Sequence, residues 1–486
     1  RYALRAGERA TSMLANEEAA DHYARALAVL ERSEPEGLQR RCDLLLKLGE
    51  ARVRSGERPR AWGTFREAAA LAARLGDGDA LARAAIGASR RYVQPPGVVD
   101  EELIAMLEQA LAMAAGEHTE TRIQLLTHLC GALYFSDRRD EMKALSQEAT
   151  ELAHELGHPR AIALAAAARR RAYWGPGLLE RRLEDSTLLL RAAREASDIE
   201  LTLQGHAWLV VDLLERGDRR GVDVQIEAFT AGAERLRQPL YLWNAAVWHA
   251  MIAHLEGRLD EAEQLASAAV SSGIRGEGIT APQYYAAQLL AIRREQGRIA
   301  ELEAPMRELL ASNPHRPAWR AGLAVLLCDT GRLDEARSQF TRLAEGRFET
   351  ITADGDWMIV AALAAEAAFA LGDAEQAAHL YELLAPHAST NVVIGLGAVC
   401  LGPASLFLGR LALTVGRREQ AIAHLRAAVA AATSLSSPVL LAHGLFELGA
   451  AVGGEEGGEL LDQARAIITE RPLPALGRRL AALSPH

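Results

Sequence analysis

The string His154-Glu155-Leu156-Gly157-His158 carries the two imidazoles and the carboxylate with which a zinc hydrolase holds its metal and polarises a bound water. That chemistry needs both histidines on one face of an unbroken helix. Gly157 and Pro159 break the helix here, so the second imidazole is expected past its end and no metal site is predicted. Gly395, Gly397 and Gly402 form a glycine-rich run, but the spacing is not GxGxxG and no βαβ pattern surrounds it. A flexible loop is the expectation. Neither lysine of the chain, Lys47 or Lys143, follows a glycine as a phosphate-binding loop requires, and no GxSxG elbow occurs. Arg169-Arg170-Arg171 and Arg181-Arg182 flank a Trp-Gly-Pro-Gly turn. They have the charge to hold a phosphate or an acidic partner, but a solvated face is the preferred reading. Cys42, Cys130, Cys328 and Cys400 are far apart, which suggests neither disulfides nor zinc and fits a reducing cytoplasm. No catalytic residue, metal or cofactor is predicted, and the chain is expected not to be an enzyme.

The elements around these residues are helical. Alanine, leucine and arginine dominate, aromatics are 5%, and runs of Val, Ile and Thr are nearly absent. The formal charge is -10 with acids and bases interspersed, which argues against the basic stripe that nucleic-acid binding needs. The organising signal is a glycine turn between two helices, at Gly56, Gly217, Gly257, Gly297, Gly331, Gly372 and Gly416. From Gly217 onward it recurs every 34 to 44 residues, enough for a helix pair and its connections. The best copies read GRLDEA from Gly257, GRLDEA from Gly331, GDAEQA from Gly372 and GRREQA from Gly416.

Glycine ends the first helix in a left-handed conformation, and acidic residues favour the start of the second. Five residues after the turns stand Ala61, Val222, Ala262, Leu302, Ala336, Ala377 and Ala421. Seven before stand Gly49, Val210, Ala250, Leu290, Ala324, Ala365 and Gly409. Small residues at both places let paired helices approach to about 8 to 10 Å. The frames at Gly217 and Gly297 carry a larger residue at both, so splayed pairs and a change of curvature are expected there. Looser units punctuated near residues 136 and 176 bring the total to about twelve helix pairs.

These turns resemble tetratricopeptide repeats, and the fold predicted is all-α, a right-handed superhelical solenoid. Gln94 to Gly97, Asn313 to Pro317 and Gly453 to Gly458 are read as elaborated loops. One continuous domain over residues 1–471 is expected, with 472–486 as a short capping helix. Ser389 to Gly409 has no charged residue, yet Pro403 and its glycines argue for a loop followed by a buried helix rather than a membrane span. The start at Arg1, inside a helical pattern and without a methionine, suggests a fragment of a longer protein.

Two segments carry a narrower resemblance. RYALRAGERATSMLANEEAADHYARAL, Arg1 to Leu27, is similar to the start of the helical region that follows the ATPase module in large bacterial ATP-binding regulators. Leu380 to Ala428 resembles the late repeats of the same group, which spans large LuxR-family and maltose-regulator-like proteins, BTAD-type antibiotic regulators and ATPase-linked cyclases. The resemblance implies a cytoplasmic sensor or interaction arm whose ATPase and output domains lie elsewhere in a parent chain. It also leaves open a general protein interaction scaffold, or a regulatory arm of a cyclase.

With the turn glycine as a register mark, residues three to four apart share the groove face of each first helix. The middle units then present Gln204, Asn244, Val247, Met251, His254, Tyr284 and Arg294, followed by Glu366 and Arg410. Amide, aromatic, thioether and cationic groups on one wall suit a small-molecule effector or a protein or peptide partner. Trp174, Trp208, Trp243, Trp248, Trp319 and Trp357 are expected mostly to fill gaps between helices.

Overall fold

Amphipathic segments closed by glycine fold as the spacing predicts. The computed structural model describes residues 2–89, 99–114, 119–277, 280–314, 316–348 and 355–483. The loop expected at Gln94 to Gly97 lies outside them, as do His315 and residues 484–486. The first helices are α1 (Tyr2–Ser12), α2 (Asn16–Ser33), α3 (Leu38–Ser55), α4 (Arg58–Leu75), α5 (Gly78–Ala88), α6 (Glu101–Met113), α7 (Glu120–Ala132) and α8 (Arg139–Leu156). The middle of the chain forms α9 (Pro159–Ala172), α10 (Leu179–Glu195), α11 (Ile199–Arg216), α12 (Arg219–Leu236), α13 (Pro239–Leu255), α14 (Leu259–Glu277) and α15 (Thr280–Gln296). A 3-10 turn, Ile299–Leu302, leads into α16 (Glu303–Ser312), then α17 (Pro317–Asp329), α18 (Leu333–Ala344), α19 (Trp357–Leu371) and α20 (Ala374–Leu384). Strands β1 (Asn391–Ile394) and β2 (Val399–Pro403) precede α21 (Ala404–Thr414), α22 (Arg418–Ser434), α23 (Pro438–Val452), α24 (Gly454–Glu470) and α25 (Pro474–Leu483).

Each helix packs on the next except α15 on α16, and from α3 to α23 the odd-numbered helices form an inner layer backed by the even-numbered ones. The result is an all-α superhelical repeat fold. The turn glycines adopt positive φ at all seven predicted positions, from 65° at Gly372 to 86° at Gly56. All seven residues five places later are buried. At Gly409 the approach is tight enough that a Cβ would lie 2.6 Å from Leu425 Cγ. The units with larger residues depart from the rest, though not quite as expected. Helix α11 packs along α12 normally, whereas α15 meets the 3-10 turn and hardly touches α16. The inner layer itself is thinnest after α11 and after α15, so the splay falls between neighbouring units.

The glycine-rich run is not a loose loop. It is an antiparallel hairpin, with Asn391 opposite Pro403 and Ile394 opposite Val399, and a bulge between Val392 and Val393. The hairpin packs on α11, α13, α15 and α19, so the chain returns to the inner face of its own middle units. Helix α23 reaches α13 five pairs earlier, and α25 packs on α15 with Leu476 and Leu480 buried. No described helix is long and apolar enough to cross a membrane.

The close contact makes Ala262 sensitive. It is fully buried in the cluster joining α13, α14 and α23. Ala262→Leu is expected to cost about 1 to 3 kcal/mol by overpacking, read as a lower midpoint in urea unfolding. An unchanged midpoint contradicts this packing.

Candidate functional site

The wall expected to be an open groove in the middle units is covered by the chain itself. Asn244, Val247, Met251 and His254 lie on α13 and Tyr284 on α15, and all five are buried. The hairpin is seated on the same two helices by hydrogen bonds to its main chain. Trp248 Nε1 donates to the Leu396 carbonyl at 2.6 Å, and the Leu396 amide donates to Tyr284 Oη at 2.9 Å. Gln288 Nε2 spans both layers, donating to the carbonyls of Val247 at 2.8 Å and Ala398 at 3.1 Å. Glycine is needed at the tip because a Cβ on Gly395 would lie 2.7 Å from Tyr284 Oη and one on Gly397 3.0 Å from Trp248 Nε1; both have positive φ. The register expected these residues on an open groove face, whereas here they are buried.

Arg294 is also engaged within the fold. It pairs with Asp329, Nε to Oδ2 at 2.6 Å, and with Glu366, which in turn accepts from Arg410 at 2.8 Å. Arg410 continues to Glu447 at 3.1 Å, and Arg479 reaches the same carboxylate at 2.8 Å. Burial alone would raise the Glu366 and Glu447 carboxyls, but the flanking guanidiniums hold both below the ordinary carboxylate range. Beside this row His443 Nε2 contacts Glu295 Oε2 at 2.9 Å. Burial opposes the Glu295 charge, yet the charge and hydrogen bond of His443, with His254 and Arg294 nearby, bring its pKa down to about 2. Burial lowers the His254 pKa, and neither of its ring nitrogens has a hydrogen-bond partner among the described residues.

The arginines flanking the Trp-Gly-Pro-Gly turn are not the solvated face expected of them. Arg170, Arg171 and Arg182 are buried. The Arg170 guanidinium lies 4.6 Å from the Trp174 ring centroid and 3.9 Å from that of Trp208, with Nη2 2.6 Å from Asp212 Oδ1. Arg182 joins the same carboxylate at 3.2 Å and Ser186 Oγ donates to it at 2.6 Å. Only Arg181 stays exposed, stacked on Tyr173 at 3.5 Å. This cluster uses its charge to hold α9, α10 and α11 together.

Other candidate chemistry is likewise placed apart or shielded. Helix α8 ends at Leu156 with Gly157 left-handed, so His154 and His158 belong to different helical segments. Among the described residues no group of three or more His, Cys, Asp or Glu is placed to hold a metal. Burial pushes the Cys130 and Cys400 thiols up to about 12, which removes the thiolate that a nucleophile needs.

Open space remains on the inner face of the earlier units, in a cavity of about 310 Å³. Arg54 of α3, Gln124, Thr127 and His128 of α7, Arg160 and Arg171 of α9, Asp198 and Gln204 beside and on α11, and Tyr241 of α13 line it. Arg160 is held by Asp198 at 2.9 Å and by Glu120, while Thr127 Oγ1 donates to the Leu164 carbonyl at 3.1 Å. Burial, then the neighbouring Arg170, lowers the Arg171 pKa to about 10. The structure therefore brings Gln204 to an open concave site and separates it from the other six predicted residues. His128 and Arg160 were missed because α7 and α9 lack the glycine turn that set the register, and Arg171 was singled out only as part of a charged face. The signal available was the polar residue recurring at Gln124 and His128, one helical turn apart.

No family model matches the sequence, and no curated protein matches it. Among solved structures the chain is similar to the APC/C hetero-tetramer Cut9-Hcn1, at 12% identity and a TM-score of 0.43 over 97% of this chain and 86% of that one. It is also similar to yeast Tom70, at 13% identity and a TM-score of 0.35 over 99% of this chain and 98% of that one.

The Glu295 and His443 pair gives a pH dependence with a definite sign. A carboxyl lowered from 4.5 to about 2 contributes stability that is full above pH 4.5 and lost as the pH falls toward 2. Glu295→Gln is therefore expected to be less stable than the parent in urea at pH 7, with the gap narrowing at about pH 3. A gap that stays constant with pH contradicts the pairing.

Proposed function

We propose that this chain is a non-catalytic recognition module whose ligand enters the concave cavity between α3 and α13. The observation that carries this reading is the contrast along the inner face. The hairpin and the last helices fill it in the middle, yet a polar, partly cationic cavity persists where α5, α7, α9 and α11 line up. Its volume falls at the lower end of the range for small-molecule sites, and its mixed lining suits a compact polar effector or one side chain and main-chain segment of a partner. Gln204, His128 and Tyr241 are the groups proposed to orient it.

The resemblance at Arg1 to Leu27 and Leu380 to Ala428 supports a finer reading: a cytoplasmic sensor arm of an ATP-dependent bacterial transcription regulator, built as one continuous unit over residues 1–471 with 472–486 as its cap. Such an arm switches its parent only by binding one state better than the other. Moving a balance from 1:99 to 99:1 takes about 5.5 kcal/mol of differential affinity.

Hydrogen exchange of the chain, with fractionated bacterial metabolites and separately with candidate partner proteins, tests the reading. The expected result is protection of α7, α9 and α11 by one ligand, with affinity about tenfold weaker or worse in a His128→Leu, Gln204→Leu double variant. Protection by a protein alone selects the scaffold reading. Protection confined to the outer helices, or undiminished in the double variant, overturns the assignment of the cavity.

A further inference from the structure

A second cavity of about 70 Å³ lies on the other side of the hairpin, between α15, α17 and α19. Its walls are almost wholly apolar: Ala287, Leu290, Met306, Ile359, Leu363 and the hairpin residue Ile394. Gly322 keeps it open, since a Cβ there would lie 3.1 Å from Met306 Cε and 3.4 Å from Leu290 Cδ2. Two of the lining residues carry polar atoms left unpaired. Trp319 and Gln283 are 8% and 6% exposed, and Trp319 Nε1 and Gln283 Oε1 have no hydrogen-bond partner among the described residues. One is a donor and the other an acceptor. Leaving each unsatisfied costs about 1 to 3 kcal/mol, so a ligand that meets both recovers what the fold gives up. The charged lining residues among those described, Arg316 and Asp356, form an ion pair with each other and offer no net charge.

From this complementarity we propose that the cavity binds a small neutral carboxamide with a short branched aliphatic body. The carbonyl accepts from the Trp319 indole, the amide N–H donates to Gln283, and the aliphatic part lies against Ala287, Ile359 and Leu363. A carboxylate of the same shape is excluded, because it lacks the donor and brings an uncompensated charge into an apolar space. The volume corresponds to about five waters, which matches a ligand of roughly six heavy atoms. This site is separate from the concave cavity between α3 and α13, and it stands or falls independently of it.

Isobutyramide and isobutyrate are the probes, titrated at pH 7 into the full chain carrying 15N-labelled tryptophan, with the Trp319 indole signal assigned from Trp319→Phe. Isobutyramide is expected to shift that signal saturably while isobutyrate leaves it in place. Ala287→Leu, which fills the cavity, is expected to abolish the shift. Gln283→Met, which keeps the volume and removes the acceptor, is expected to weaken binding about tenfold. It provides the decisive comparison if Ala287→Leu does not fold. No shift with isobutyramide, an equal response to isobutyrate, or undiminished binding in Gln283→Met overturns the proposal.

Discussion

Every buried main-chain carbonyl must be given a donor, and in this protein that requirement joins parts of the chain that the repeats alone would leave apart. Carbonyls at and just beyond the last turns of the inner helices of the middle units face the C-terminal third of the chain. Side chains from the C-terminal third supply the donors: Asn391 Nδ2 to Leu214 at 2.9 Å, Ser434 Oγ to Gly217 at 2.9 Å and Ser437 Oγ to Leu255 at 2.7 Å. The hairpin has the reciprocal need, and Trp248 and Gln288 meet it from the wall. The superhelix therefore closes on itself, and the polar cavity between α3 and α13 stands apart from the apolar one beside the hairpin.

Charge follows the same pattern of closure. Asp212 is shared by Arg170 and Arg182 inside the earlier units, and the row from Asp329 through Arg294, Glu366, Arg410 and Glu447 to Arg479 crosses the later ones. Removing a fully buried member such as Asp212 or Arg170 strands its partners, which typically costs about 3 to 5 kcal/mol. These networks fix which helices meet.

Much of the helical framework was legible from local spacing. Gly257, Gly331, Gly372 and Gly416 mark turns, and Ala262, Ala336, Ala377 and Ala421 are fully buried beneath them, because close helix approach leaves a periodic trace. Contacts made across many units leave none. Nothing near Trp248 announces that its partner is Leu396, and nothing near Arg170 announces Asp212, so a groove and a solvated face were read where the fold is packed. The β-hairpin escaped notice because its strands are only four and five residues long, the connection between them carries Gly395 and Gly397, and their pairing is stabilised by the wall they sit on. The concave cavity was half visible: Gln204 followed from a glycine register that α7 and α9 do not carry.

The seating of the hairpin on the inner wall is tested most directly by the exchange rate of the Leu396 amide. If the hairpin is held as described, that amide exchanges as slowly as the centre of α13 and is selectively accelerated in Tyr284→Phe. Exchange at the rate of an exposed loop, unchanged by Tyr284→Phe, would show that the inner face stands open and that the closure argued for does not exist.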